Sequence, residues 1–228
     1  MRQRRIILTL ANLALLGLAA LGLVSCSRSA VEASFKPAQA AGLVAAEETL
    51  KLIQNRGQIV LITEDTSLSI NEALDAQVEA FKQAIKKQKG VTALAIVKFA
   101  RDPRTVGTNP GGLLTRDQLL TTAQAHPGAA AIVSFIGFPK LAAQDFATLQ
   151  AGQIKCVAIF NSVFGVEIRK RVVQPALSLA IVACPEAMPA GATKPRTAHE
   201  CFEQSYLLLK PEPNGEFNAE TVSLLPDR

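Results

Sequence analysis

Residues 58–63 read Gln58-Ile59-Val60-Leu61-Ile62-Thr63, a compact apolar run that follows a glycine and precedes a polar loop over residues 64–67. An uninterrupted apolar run of this length predicts a strand buried on both faces, as in a parallel sheet. The flanking segments have a different period, because apolar residues recur at helical spacing in residues 41–54 and 71–89. Helix, strand and helix in succession are typical of an α/β protein.

The same alternation continues along the chain. Further strands are predicted over residues 92–99, 130–135, 154–160 and 178–182, and further helices over residues 115–125, 141–150 and 166–173. A Pro/Ala/Gly-rich stretch then leads to a short helix near residues 197–204 and a strand over residues 206–210. Parallel strands joined through helices form right-handed crossovers. The predicted fold is therefore α/β, with three layers: a mostly parallel sheet with helices on both faces.

The N-terminus resembles the leader of a bacterial lipoprotein. Arginines at positions 2, 4 and 5 precede an apolar stretch over residues 6–24, and Leu23-Val24-Ser25 stands directly before Cys26. In that family the cysteine is diacylglycerylated and the leader is cut before it, so we expect Cys26 to be the lipid anchor. The chain would then be exported and would face the periplasm or the exterior, on an outer or an inner membrane. The alternatives are an uncleaved transmembrane anchor and an ordinary leader with a chance cysteine.

Four segments follow from this pattern. They are a signal peptide over residues 1–25, a tether over 26–39, an α/β lobe over 40–210 and a C-terminal tail over 211–228. Cleavage removes 25 of the 228 residues and leaves 203, enough for one core. The leader takes three of the 24 basic residues with it, so 21 face 19 acidic ones. This near balance offers no electrostatic basis for binding nucleic acid, and we expect membrane attachment through acyl chains instead.

Three cysteines remain after the lipid anchor. Cys156 lies in a predicted buried strand, where an inert core thiol is expected. Cys184 and Cys201 lie in the loop-rich C-terminal part and are the candidates for a disulfide, provided that their Cα atoms come within bridging distance. An odd number of cysteines in an oxidising compartment leaves at least one without a disulfide.

Three passages resemble the C-terminal lobe of type I periplasmic binding proteins, the ribose-binding kind. They are residues 41–47 leading into 57–62, residues 77–85, and residues 119–133 with the helix-ending pair His126-Pro127. The similarity covers roughly residues 40–182. It implies a lobe that binds a small, sugar-like solute for uptake or sensing. The family's first lobe has no counterpart between Cys26 and residue 40, so a closed clamp would need a partner protein or a second copy.

The positions of the family's polar ligand contacts carry different residues here. Its helix arginine corresponds to Gln77, its Asn-Asp pair to Ile136-Gly137, and its strand-ending aspartate to Phe160. Ligands of open parallel sheets bind outside the carboxyl ends of the strands. The expected rim for a ligand or a partner is Asp65, Thr66, Asn71, Gln77, Phe138, Phe160 and Asn161. The two phenylalanines either form an apolar part of this rim or close the edge of the core.

The sequence contains none of the common catalytic motifs. No glycine-rich nucleotide loop follows the first strand, and no Gly-x-Ser-x-Gly elbow occurs. His199 and Cys201 are two residues apart and would point about 200° away from each other on a helix, so they do not form a dyad. We therefore expect no enzyme activity, no cofactor and no metal.

Two functions are open at this point. The first is a membrane-anchored lipoprotein that binds a small solute. The second is a non-transport envelope module that uses the exposed cleft face for self-association or for binding a protein partner. Convergent polar groups on that face would favour the first function, and a flat apolar patch would favour the second.

Overall fold

The structure is a computed structural model that describes residues 36–67, 70–100, 114–161, 165–184, 195, 197–212 and 217. Residues 37–228 belong to one compact unit, which is the part considered below. Cys26, the leader and the irregular segment predicted over residues 101–112 lie outside the described residues. None of the described helices is long and apolar enough to cross a bilayer.

Every strand and helix predicted from the sequence is present. The helices are α1 (36–52), α2 (Glu72–Lys86), α3 (Arg116–Ala125), α4 (Ala143–Ala151), α5 (Gly165–Val172) and α6 (Ala198–Glu203). The strands are β1 (Gly57–Glu64), β2 (Val91–Phe99), β3 (Ala129–Ser134), β4 (Lys155–Phe160), β5 (Leu177–Ala183) and β6 (Tyr206–Leu209). The first helix begins by residue 36, so the last residues of the predicted tether are helical.

The six strands form one sheet in the order β2-β1-β3-β4-β5-β6. All neighbours are parallel except β6, which runs antiparallel to β5. From β1 the chain crosses to β2 at one edge of the sheet, and from β2 it crosses in the opposite direction through β3 and β4 to β5. Right-handed crossovers therefore place α2 on one face of the sheet and α3, α4 and α5 on the other. The predicted α/β architecture with a mostly parallel sheet is confirmed.

The core follows the periodicities that the sequence shows. Four consecutive residues of β1, Ile59 to Ile62, have no exposed surface, as expected for a strand covered on both faces. On α2, Leu74, Phe81 and Ile85 are buried at helical spacing. The ring of Phe81 meets Phe135 edge to face, with centroids 5.6 Å apart, so this aromatic pair fixes α2 against the end of β3.

A partly buried ion pair joins two helices on the other face, with Asp145 buried and Arg116 exposed. Thr115 begins α3 with a capping box that it shares with Gln118. In the first turn, Arg116 donates from Nε and Nη2 to both carboxylate oxygens of Asp145 at the start of α4, at 2.7 and 2.6 Å. Asp145 also accepts from the backbone N–H of Ala142 at 2.8 Å. The hydrogen bonds from Arg116, followed by that from Ala142, outweigh desolvation and hold the pKa of Asp145 below its ordinary value.

Candidate functional site

The carboxyl edge of the sheet is the first place to look for a ligand site. The sheet order reverses between β1 and β3, and in open α/β sheets the crevice at such a switch point is where ligands bind. Asp65 and Thr66 follow β1 directly, and Asn161 follows β4. The structure therefore brings these three predicted site residues to one edge, because parallel strands end on the same side.

A polar turn lies on the β1 side of this edge. Asp65 Oδ1 accepts from the backbone N–H of Ser67 at 3.1 Å, and Thr66 Oγ1 donates to Oδ1 of Asp75 on α2 at 2.9 Å. Hydrogen bonds from Ser67 and the positive charge of Lys98 lower the pKa of Asp65, so its carboxylate stays ionised. Asp65 and Thr66 are half-buried and Asp75 is exposed, so this turn presents charged and hydroxyl oxygens to solvent.

Asn71 has a local structural role. Its Oδ1 accepts from the backbone N–H of Leu74 at 3.2 Å and caps α2. An N-cap side chain satisfies one of the helix's otherwise unpaired donors, so this oxygen is already committed. The half-buried Asn71 still borders the turn that contains Asp65 and Thr66.

Gln77 and Asn161 form a closed amide pair. Gln77 Nε2 donates to Asn161 Oδ1 at 2.7 Å, and Asn161 Nδ2 donates to Gln77 Oε1 at 3.0 Å. Gln77 also donates to the hydroxyl of Tyr206 at 3.2 Å, and Asn161 donates to the carbonyl of Phe135 at 3.2 Å. Gln77 is only 2% exposed. The network ties α2 to the ends of β3 and β4 and to the start of β6. Gln77 is enclosed in it, whereas Asn161 is exposed and its Oδ1 can accept a second hydrogen bond.

Tyr206 was not among the predicted site residues, yet it joins this network. It is the only tyrosine in the chain and starts the last strand, which pairs antiparallel with β5. That direction brings the start of β6 to the carboxyl edge. Burial raises the pKa of Tyr206, against the opposing effect of the Gln77 hydrogen bond, so its hydroxyl stays protonated.

The two rim phenylalanines require a correction. Phe138 is 1% and Phe160 2% exposed, so both close the edge of the core and neither forms an accessible apolar rim. The segment after β3 continues inside the protein, because Gly137 donates its N–H to the carbonyl of Ile159 at 3.0 Å. Gly137 adopts φ +83°, a conformation that side-chain-bearing residues rarely adopt, so the chain turns there and Phe138 enters the core.

The predicted disulfide candidates are not bonded to each other. Cys184 and Cys201 are both thiols. The backbone N–H of Cys184 donates to the carbonyl of Ser205 at 2.8 Å. Ser205 is four residues after Cys201, and the side chain of Cys201 is buried on α6. Cys156 is the expected core thiol, and burial raises its pKa to about 12.

Apart from the carboxyl edge, a cavity of about 360 Å³ lies between α1, α6 and β6. Phe202 and Tyr206, stacked with centroids 5.6 Å apart, form part of its wall together with Leu207 and Leu208. Sequence patterns had not indicated this cavity, because it forms between segments about 150 residues apart.

Two of the carboxylates that line this cavity, Glu47 and Glu48, contact nitrogen groups. Glu47 Oε2 lies 2.8 Å from Nε2 of His199, and Glu48 contacts Lys51 at 2.6 Å and also Lys210. Burial opposes ionisation of Glu48, but hydrogen bonds from Lys210 and Lys51 keep its pKa below the ordinary value. His199 therefore contacts a carboxylate rather than a nucleophile. Among the described residues, no three His, Cys, Asp or Glu side chains are grouped as metal ligands.

Comparison with known proteins gives similarity to solved structures only. No protein-family model and no curated protein matches the chain. A solute-binding protein from Agrobacterium vitis bound with α-D-tagatopyranose is 18% identical, with a TM-score of 0.43 over 71% of this chain and 46% of that one. The arabinose-binding protein AraP from Geobacillus stearothermophilus is 13% identical, with a TM-score of 0.48 over 83% and 63%.

A third similar structure is the 5-methylthioribose transporter solute-binding protein from Thermotoga lettingae. It is 11% identical, with a TM-score of 0.43 over 64% of this chain and 43% of that one. The chain thus spans about half the length of several of these solved structures. At such identities the similarity concerns the fold alone.

Proposed function

We propose that this chain is an exported, lipid-anchored binding lobe that holds a small hydroxylated solute without changing it chemically. The observation that carries the proposal is the polar turn at the switch point, where Asp65, Thr66 and Asp75 present oxygens to solvent. A carboxylate accepts several hydrogen bonds, so the contacts within the turn leave these groups able to accept from solute hydroxyls. A sugar-like solute is the class that the resemblance to type I periplasmic binding proteins implies.

The anchor part of the proposal rests on the sequence. Residues 23–26 read Leu-Val-Ser-Cys after an apolar stretch, and Cys26 is the residue that would carry the lipid. Metabolic labelling of bacteria that express the chain with a clickable palmitate analogue tests it. Labelled, membrane-associated protein is expected from the unsubstituted chain and none from Cys26→Ser. Equal labelling of both would exclude lipidation at this residue.

A second candidate function is favoured by the closed amide network. Gln77 is buried and bonded to Asn161, and Phe138 and Phe160 lie in the core, so these three rim residues have no group available to a solute. A lobe with this arrangement would use its carboxyl edge to dock on another envelope protein. The partner would then supply the binding energy that convergent polar groups supply in a solute site.

Thermal unfolding of the full chain in detergent distinguishes the two functions. The first probes are arabinose, tagatose and 5-methylthioribose, followed by nucleosides and other small metabolites. A solute at 100 times its dissociation constant stabilises the folded state by about 2.7 kcal/mol, a rise of several degrees in Tm.

Two variants locate the solute. Asp65→Asn should abolish the rise in Tm. Glu79→Gln, which changes an exposed carboxylate on α2, should retain it. A cooperative transition that no compound shifts would refute solute binding and favour the docking function.

A further inference from the structure

The sheet has two very different edges. At one edge β6 has four residues, and Pro211, two residues beyond it, bridges to Phe217. A short strand followed by proline offers little for another strand to pair with. At the other edge β2 has nine residues, and among the described strands it pairs only with β1.

Within β2 itself and its pairing with β1, few of the features that normally prevent strand pairing between chains are present. Its sequence, Val91-Thr-Ala-Leu-Ala-Ile-Val-Lys-Phe99, contains no proline and one charged residue, Lys98. The only irregularity in its pairing with β1 lies at the start, beside Gly57. None of its nine residues is fully buried, and Ile96 is 41% exposed. A long, regular, apolar edge of this kind is a template for a further strand.

We propose that β2 is a self-association edge, at which a second copy of this chain pairs antiparallel across a two-fold axis at Ala95. Two six-stranded sheets would then join into one continuous sheet. In the register that pairs all nine residues, directly opposite side chains lie on the same face of the sheet. The opposite pairs are Val91 with Phe99, Thr92 with Lys98, Ala93 with Val97, Leu94 with Ile96, and Ala95 with its own copy.

This register is self-complementary in both apolar contact and charge. Leu94 and Ile96 meet twice, once on each side of the axis, and form a four-residue apolar cluster on one face. Each Lys98 lies opposite a threonine. The two lysines are six residues apart along the strand, roughly 20 Å, which exceeds the screening length of about 8 Å at physiological salt. No like charges oppose each other, so the strand fits a copy of itself.

A two-fold contact also explains why association would stop at a dimer. It uses the same edge on both copies and leaves only the short β6 edges outside. The inference is separate from solute binding, because Leu94 and Ile96, which would pair across the axis, belong neither to the polar turn nor to the amide network. A lipid anchor, if Cys26 carries one, would raise the effective concentration of copies on the membrane and favour pairing.

A charge placed on the edge tests the proposal. Full-length chain in detergent is compared by analytical ultracentrifugation with Ile96→Lys and with the control Val173→Lys, which alters another exposed apolar residue, between α5 and β5. We expect the unsubstituted chain and Val173→Lys to form dimers. Ile96→Lys should raise the dissociation constant of the dimer roughly tenfold or more, because the substitution is present in both copies and removes both Leu94–Ile96 pairs.

Cysteine substitution tests the register. Ala95→Cys should form an intermolecular disulfide on mild oxidation, because two copies of residue 95 face each other at strand-pairing distance. Thr92→Cys, on the same strand, should not, because its copies lie roughly 20 Å apart. A chain that stays monomeric at high concentration would overturn the proposal. So would a dimer that tolerates Ile96→Lys, equal cross-linking at both positions, or a purified complex in which β2 pairs with a different protein.

Discussion

Replacing Gly42 by alanine tests whether the close contact between α1 and α2 holds the lobe together. Gly42 lies inside α1 and faces the backbone of Gln77. A Cβ at this position would lie 2.9 Å from the carbonyl carbon of Gln77 and closer still to its oxygen. A backbone group cannot rotate away as a flexible side chain can. The two helices would therefore have to separate, and the amide pair of Gln77 and Asn161 would be strained.

Two effects of opposite sign decide the magnitude. Alanine is favoured over glycine inside a helix by about 1 kcal/mol. Overpacking a well-packed contact costs about 1–3 kcal/mol, and a backbone obstacle places Gly42→Ala at the upper end of that range. The expected net loss is about 2 kcal/mol of unfolding free energy. For a domain of this size that corresponds to a fall in Tm of about 4–8 °C.

Urea and thermal unfolding of the two chains measure this difference, and Gly128→Ala is the matched control. Gly128 lies in the turn before β3, and a Cβ there would meet no atom within 4 Å. Its substitution should change the free energy of unfolding by less than about 0.5 kcal/mol. If Gly42→Ala is as stable as the unsubstituted chain, or more stable as helix propensity alone predicts, the packing argument is wrong.

Three further predictions concern stability and thiol chemistry. Asp145→Asn should lower the free energy of unfolding in urea at pH 7, because it removes the ion pair with Arg116. The pKa of Asp145 lies below its ordinary value of 3.8, so the ion pair stabilises the fold above pH 3.8 and this contribution is lost as the pH falls through the folded-state pKa. The variant should therefore show a flatter pH profile of stability below about pH 4. Burial raises the pKa of Cys156 to about 12, so this thiol should resist iodoacetamide in the native chain at pH 8, and half-buried Cys184 should be alkylated first. Peptide mass spectrometry measures the two alkylation rates, and equal rates would contradict the burial of Cys156. Phe81→Ala should lower the free energy of unfolding by about 3–5 kcal/mol, because the ring has no exposed surface, and a loss below 1 kcal/mol would refute its place in the core.

The succession of helices and strands was predictable because each element shows its own periodicity. The apolar run over residues 58–63 predicted the first strand, which the structure has as Gly57–Glu64. Thr115 was predicted to begin a helix, and it caps α3 through a capping box with Gln118. Glu64 is a local failure of the same reasoning, since it was predicted to begin a polar loop. It is instead the last residue of β1 and is 3% exposed, because β1 continues its pairing with β2 as far as Glu64, opposite Phe99.

The sequence predicted that Gln77 and Asn161 lie at the carboxyl edge, but not which groups they bond to there. Gln77 and Asn161 do meet at the carboxyl edge, 84 residues apart in sequence. Sequence alone could not show that they bond each other, nor that Tyr206 joins them, because that depends on the direction of β6. Phe138 and Phe160 were predicted to lie on the rim, with the core as the alternative, and their burial in the structure decides for the core.

The α/β class, the order of the elements and the placement of polar side chains at the carboxyl edge could all be predicted from local sequence patterns. These features arise from local period, turn chemistry and the direction of parallel strands. Tertiary packing decides which polar groups are paired, which aromatic rings are buried, that Cys184 and Cys201 remain thiols, and that β2 is an edge strand of the described sheet. Such features depend on distances between segments remote in the chain, and those distances are set by packing rather than by any pattern within one segment.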